Sequence, residues 1–171
     1  DLNLDDFVAR VNSDLVGKYV NIASRMAPFL SKFFDNRMPK IKTGNFAEAQ
    51  GVPQESLGLT LALQYSKRIQ TAFEEREFGQ AIRLIMEVAD AINQDIQHVE
   101  PWKLAKDALT NTENMKKLGD ICASSIAAFK VLTLFLKPIL PSLTTDAEKY
   151  LKSTELTWAN LALPLDMNKF L

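Results

Sequence analysis

Asp14, Lys18, Asn21 and Arg25 fall at steps of three and four, so on a helix they share one face. The segment Asn21-Ile22-Ala23-Ser24-Arg25 lies inside a long amphipathic stretch, where apolar residues would be favoured. A row of carboxylate, ammonium, amide and guanidinium groups on a rigid helix offers donors and acceptors in fixed order. Such a row suits a flat polar ligand, for example the edge of a nucleobase. A solvated helix face would show the same spacing, and spacing alone does not separate the two.

Catalysis needs a constellation, and none is legible. The chain has one histidine, His98, which reads as a helix-end residue, and one cysteine, Cys122, which falls on an apolar face and reads as core. The two are far apart in sequence, so no zinc spacing fits. Gly44, Gly51 and Gly58 lack the spacing of a phosphate-binding loop, and no nucleophile elbow occurs. Glu74, Glu75 and Glu77, with Arg76 among them, read as solvated carboxylates at a helix end. No catalytic residue and no metal ligand is assigned.

The elements that would position the polar row are helices. With 171 residues and 47% hydrophobic content, the chain can build one domain with a real core. Phe7, Val11 and Leu15, then Ile22, Met26, Leu30 and Phe33, predict a helix over about residues 4–34, which Pro28 should kink or break. Pro39, Gly44, Gly51 and Pro53 punctuate a long connection over 35–55, with room for a short helical turn near Phe46. Steps of four from Leu57 to Phe73 predict a helix over about 56–76, followed by another from Glu77 or Phe78 to Val99, with Gly79 allowing the break or a close approach. Pro101-Trp102 opens a short helical piece through Lys106. A long helix spans about 114–136, with Leu118, Ile121, Cys122, Ser125, Phe129, Leu132 and Leu136 along one side. Another runs from Pro141 to Leu151, and the tail 152–171 reads as irregular or briefly helical. No strand-like alternation persists. The sum is an all-α, mostly antiparallel bundle of about five helices, one domain over 1–171.

The net charge is −1 and the sequence pI about 5.9, so binding nucleic acid by bulk electrostatics is not expected. Any such contact should be local. A lone cysteine fits a reducing compartment, and no stretch reads as a membrane span or a signal peptide. The opening Asp1-Leu2-Asn3-Leu4-Asp5-Asp6 reads as the start of a domain cut from a longer protein.

Several stretches, taken in order, resemble the anticodon-binding domain of bacterial methionyl-tRNA synthetases. They are Asp1-Leu2-Asn3-Leu4-Asp5-Asp6-Phe7-Val8, Val20-Asn21-Ile22-Ala23-Ser24-Arg25 and Glu75-Arg76-Glu77-Phe78-Gly79-Gln80-Ala81. Glu100-Pro101-Trp102-Lys103-Leu104-Ala105-Lys106, Phe129-Lys130-Val131-Leu132 with Leu136-Lys137-Pro138-Ile139-Leu140-Pro141, and Thr154-Glu155-Leu156-Thr157-Trp158 complete the set. The resemblance implies a helical domain that checks the CAU anticodon of tRNA(Met). It also implies a parent enzyme that adenylates methionine with ATP and Mg²⁺ and transfers it to tRNA in the cytoplasm. The HIGH-type and KMSKS-type motifs of the catalytic domain are absent here, so the chain alone should need no cofactor and should not activate methionine. Its implied partners are the anticodon loop and that catalytic domain, with no membrane and no DNA. By resemblance Asn21 and Arg25 read the anticodon, and Phe73 takes the place of a stacking tryptophan, with core packing a serious rival. Lys18, Ala72 and Arg76 are further candidate tRNA contacts, although Arg76 also suits an internal partner of the nearby carboxylates. Trp102 is expected in the core behind Pro101, and Lys103 and Lys106 suit either a tRNA backbone or plain solvent. The helical domains of leucine, valine, isoleucine or cysteine enzymes of the same class share this architecture. A helical protein-interaction module is the alternative from another class; it would show an exposed apolar groove and no response to RNA.

Overall fold

The apolar run toward the end of the chain decides the architecture. The structure, a computed structural model, describes residues 11–39, 46–47, 52–53, 57–153 and 155–161. Among these, a π-helical turn, Val11–Val16, runs into α1, Gly17–Phe33. Then follow α2, Leu57–Glu74; α3, Phe78–Val99; α4, Pro101–Asp107; α5, Thr112–Leu136; and α6, Pro141–Leu151. The expected helix start near residue 4, the motif at 1–8, Gly44, Gly51, Thr154 and the tail beyond 161 lie outside the described residues.

α5 starts two residues before the expected position because Asn111 caps it. The Asn111 side chain accepts from the Glu113 and Asn114 amides at 3.0 and 3.1 Å. From Cys122 to Leu136 every residue is buried, not only one side. A helix apolar all round must be a central helix, and α1, α2, α3, α4 and α6 all pack on it. By length and composition α5 could cross a membrane, which corrects the expectation that no stretch comes near, and 89% of that window is buried within the fold.

α1 is fixed to α5 by one side chain. The Tyr19 ring stacks on Phe129 at 4.5 Å, and its hydroxyl bonds the Thr133 hydroxyl at 2.7 Å. Thr133 Oγ1 also donates to the Phe129 carbonyl, so the buried pair is satisfied. At the other end of α1, Phe34 lies against Gly119, where an added Cβ would meet its ring at 3.4 Å. These two contacts make α1 antiparallel to α5. Pro28 does not break α1, which continues to Phe33. Pro28 and Ser24 are both exposed, so the Ser24 carbonyl deprived of its helical donor faces water.

α2 and α3 form an antiparallel hairpin. Arg76, not Gly79, makes the turn: it takes φ 60°, its amide donates to Phe73 O, and the Glu77 amide donates to Ala72 O. That is a Schellman closure, and it ends α2 at Glu74, short of the expected Arg76. At the far end of the hairpin the Gly58 amide donates to Asp95, whose carboxylate thereby satisfies an orphan donor at the start of α2. Burial raises the Asp95 pKa, while the Gly58 amide and His98 pull it down. Glu100 takes φ 51° after α3, and Pro101 opens α4 at its first position.

The expected helical turn near Phe46 is instead a short antiparallel ladder, Phe46–Ala47 with Val52–Pro53, pairing Phe46 with Pro53 and Ala47 with Val52. Prolines and glycines through this connection deny it a helical hydrogen-bond ladder. The tail is pinned by Lys137, whose Nζ reaches Glu148 at 2.9 Å, Glu155 at 3.2 Å and the Leu156 carbonyl at 3.1 Å. Glu148 also accepts from the Leu156 amide at 2.9 Å, and Trp158 stacks on Phe135 at 5.5 Å. A 3₁₀ turn, Trp158–Leu161, closes the described chain.

Two outcomes are expected. A Cβ at Gly58 would sit 2.7 Å from the Ile92 backbone, so Gly58→Ala should lower stability by about 1–3 kcal/mol in thermal unfolding. Burial works to raise the Glu148 pKa, but the Leu156 amide and Lys137 outweigh it and hold the carboxyl below its usual 4.5. Its contribution is therefore full above about pH 4.5 and is lost as pH falls through the lower folded value. Trp158 fluorescence should report release of the tail in that acid range, and Glu148→Gln should remove the pH step.

Candidate nucleic-acid interface

The polar row of α1 lies against α3. Lys18 Nζ pairs with Asp90 at 2.7 Å rather than with Asp14. Asn93 Nδ2 donates to the Lys18 carbonyl at 3.0 Å and to the Ala89 carbonyl at 2.9 Å. Two acceptors on its amide nitrogen fix the orientation of Asn93 and turn its oxygen toward α1. Asn21 Nδ2 donates to that oxygen at 3.2 Å. Asn21 is thereby held with its own Oδ1 outward, and among the described residues that oxygen has no partner. Arg25, one turn on, is half-buried and forms no ion pair among the described residues. Neither a wholly solvated face nor a row wholly free for ligand describes this stripe: Lys18 is committed to α3, Asn21 half so, and Arg25 not.

Pattern alone does not mark Asn93 as functional. The signal was there, since Asn93 falls four residues after Ala89 and three before Ile96, inside the apolar spacing of α3. A polar side chain at such a position needs partners.

The pairs Lys18 with Asp90 and Asn21 with Asn93 advance together, so α1 and α3 run parallel. Arg25 and Phe34 therefore lie toward the end of the bundle where α3 stops, α4 begins and α5 starts. Trp102 opens that end. It is 38% exposed, while Pro101 beside it is buried. The expectation of a core indole is corrected: α4 is a seven-residue helix whose proline, not its tryptophan, faces the core. Lys103 pairs with Glu100, and Lys106 is exposed.

Phe73, Ala72 and Arg76 stand at the opposite end. Phe73 is half-buried, with its ring tilted at 55° to Phe78 and the centroids 6.4 Å apart. Phe78 and Asn93 are roughly 22 Å apart along α3, at about 1.5 Å per residue. The structure therefore does not bring Phe73 to Asn21 and Arg25. Ala72 is 2% exposed and offers a ligand no side chain, and Arg76 is exposed in the turn.

His98 is exposed at the end of α3. Cys122 is buried, and burial pushes its thiol up to about 12, which leaves it without thiolate at neutral pH. Glu74, Glu75 and Glu77 are exposed, and among the described residues no three His, Cys, Asp or Glu side chains converge.

No protein-family model matches the chain. It is 42% identical over 168 residues to the methionine–tRNA ligase of Herminiimonas arsenicoxydans, covering 98% of this chain and 22% of that one. It is 39% identical over 165 residues to the methionine–tRNA ligase of Janthinobacterium sp. (strain Marseille), covering 96% of this chain and 22% of that one. The chain thus spans about a fifth of the length of these relatives. Among solved structures, the free-state Mycobacterium tuberculosis methionyl-tRNA synthetase superposes with a TM-score of 0.80 at 19% identity, over 95% of this chain and 31% of that one. The same enzyme bound by methionyl-adenylate gives 0.79 at 19% identity, over 94% of this chain and 30% of that one. The chain is homologous to one segment of methionine–tRNA ligases and shares an all-helical fold with part of a methionyl-tRNA synthetase.

Proposed function

We propose that this domain reads the CAU anticodon of tRNA(Met) within a methionine–tRNA ligase. The rest of that enzyme adenylates methionine with ATP and Mg²⁺ and transfers it to the tRNA in the cytoplasm. The observation that carries the reading is the Asn93 bracket, which turns the Asn21 oxygen outward beside an Arg25 that has no ion pair among the described residues. A cytosine edge presents an amino donor and ring acceptors. Asn21 Oδ1 suits the donor, and the Arg25 fork suits the acceptors. Unstacked anticodon bases also need a π-face. The exposed indole of Trp102, at the end toward which Arg25 lies, supplies one. Phe73 keeps a ring, but one base cannot meet both it and Asn21. Recognition of this kind needs few phosphate contacts, in keeping with the net charge of −1.

The test is titration of the protein with a CAU stem–loop and with a loop whose first anticodon base is changed. The CAU loop should bind more tightly. Arg25→Ala, which breaks no ion pair among the described residues, should weaken it about 10-fold or more with little change in melting temperature. Trp102→Ala should cost ~1–3 kcal/mol of affinity, and Phe73→Ala should leave affinity within about twofold. Equal binding of the two loops would sink the anticodon reading. Loss at Phe73 with none at Trp102 would move the stacking platform to the other end of the bundle.

A further inference from the structure

The outward oxygen of Asn21 is the last link in a chain of bonds that begins at two helix carbonyls. The carbonyls of Lys18 in α1 and Ala89 in α3 can only accept, and both take a hydrogen from Asn93 Nδ2, at 3.0 and 2.9 Å. Asn93 therefore cannot reverse its amide without setting its oxygen against both carbonyls. Asn21 Nδ2 donates to the Asn93 oxygen at 3.2 Å. Asn21 cannot reverse alone either, because its oxygen would then face the oxygen of Asn93. The two amides hold one polarity, and backbone on two helices dictates it.

That backbone is itself held in register. Lys18 Nζ meets both carboxylate oxygens of Asp90, at 2.7 and 2.8 Å, about one turn before the asparagine pair. Ile22 and Met26 of α1, and Ala89, Ile92 and Ile96 of α3, are buried beside the pair. Asn21 and Asn93 are themselves half-buried, so the bond between them is shielded on one side from water. A ligand that needs a donor from Asn21 must break this bond and leave two oxygens facing each other.

Resting on the anticodon reading, we propose that Asn93 is the positioning residue that makes the site reject uracil in favour of cytosine at the first anticodon base. Asn93 acts through Asn21 and has its own amide committed to three bonds. The 4-amino group of cytosine donates to Asn21 Oδ1. Uracil carries a carbonyl at that ring position, and its oxygen would meet the Asn21 oxygen unpaired. Without Asn93, Asn21 turns freely and offers uracil its Nδ2. Arg25 faces the ring acceptors and contributes alike with or without Asn93. Removing Asn93 therefore costs selectivity rather than grip.

The test is titration of the whole chain with two stem–loops whose anticodons are CAU and UAU. The wild type should prefer CAU. Asn93→Ala should bind UAU about fivefold or more tightly than the wild type does, with CAU affinity within about twofold. Asn93→Leu, which fills the vacated space, should behave the same way, with melting temperatures recorded for both variants. In the wild type, hydrogen exchange of the Asn21 side-chain amide should be slower than that of Gln97, which is exposed on the same helix as Asn93. A CAU-to-UAU ratio unchanged by both substitutions would overturn the proposal. So would parallel weakening of both loops, which is what a merely structural role predicts, or Asn21 exchange as fast as that of Gln97. Equal binding of the two loops by the wild type would instead bring down the anticodon reading, so the two failures are told apart.

Discussion

The burial of α5 on every side is the constraint on which the rest depends. A helix apolar all round has no solvent face to orient it, so its neighbours must cover it completely. Five helices do so. Once α1 is locked to it by Tyr19 on Phe129 and Thr133 and by Phe34 on Gly119, the direction of α1 is set. Once α1 runs antiparallel to α5, its polar row must meet α3. The position of Asn21 and Arg25 is thus a consequence of the core, not of any property of the polar residues themselves.

The α1–α3 contact illustrates how a polar group inside an apolar stripe acquires a use. Asn93 sits where an isoleucine or leucine would pack, and it is tolerated because both kinds of group on its amide find partners. What those bonds achieve is orientation. A free asparagine on a helix surface can present either end of its amide, whereas Asn21 is held to one. Lys18 and Asp90 add a half-exposed ion pair of small energetic worth, but they help fix the same register.

Much of the fold was legible because helical periodicity and proline placement are local signals. The bounds of α3 and α6, the opening of α4 at Pro101 and the briefly helical tail follow from them. What periodicity could not supply was anything set by neighbours. Spacing marks only one side of α5, because its small residues, Ala123, Ser124, Ala127 and Ala128, carry little hydrophobic signal yet allow close packing. Glycine is the usual turn former and points the α2–α3 break to Gly79, whereas Arg76 takes the left-handed position and a Cβ added at Gly79 would meet no neighbour. Asn21 and Arg25 were picked out by spacing, but their distance from Phe73 depends on the parallel run of α1 and α3, which no local pattern encodes. The expectation of a core Trp102 rests on its place behind Pro101, but adjacent residues on a helix point about 100° apart, and here Pro101 takes the inward direction.

The two ends of the bundle are chemically unlike, and this bears on the proposed reading of an anticodon by a domain without net positive charge. At one end Phe73 and Phe78 lie beside three exposed glutamates, Glu74, Glu75 and Glu77, a setting that repels phosphate. At the other end of the bundle, toward which Arg25 lies, Trp102, Lys103 and Lys106 are exposed, with Glu100 paired to Lys103 and Asp107 exposed beside Lys106. A polyanion is therefore repelled less at the second end, where cations and carboxylates nearly balance, than at the first. Once there, affinity must come from stacking and base edges, since so few cations are available for phosphates. Discrimination between bases is the property such a site can deliver best, because a mismatched edge would leave the oriented Asn21 oxygen and the Arg25 fork desolvated and unpaired.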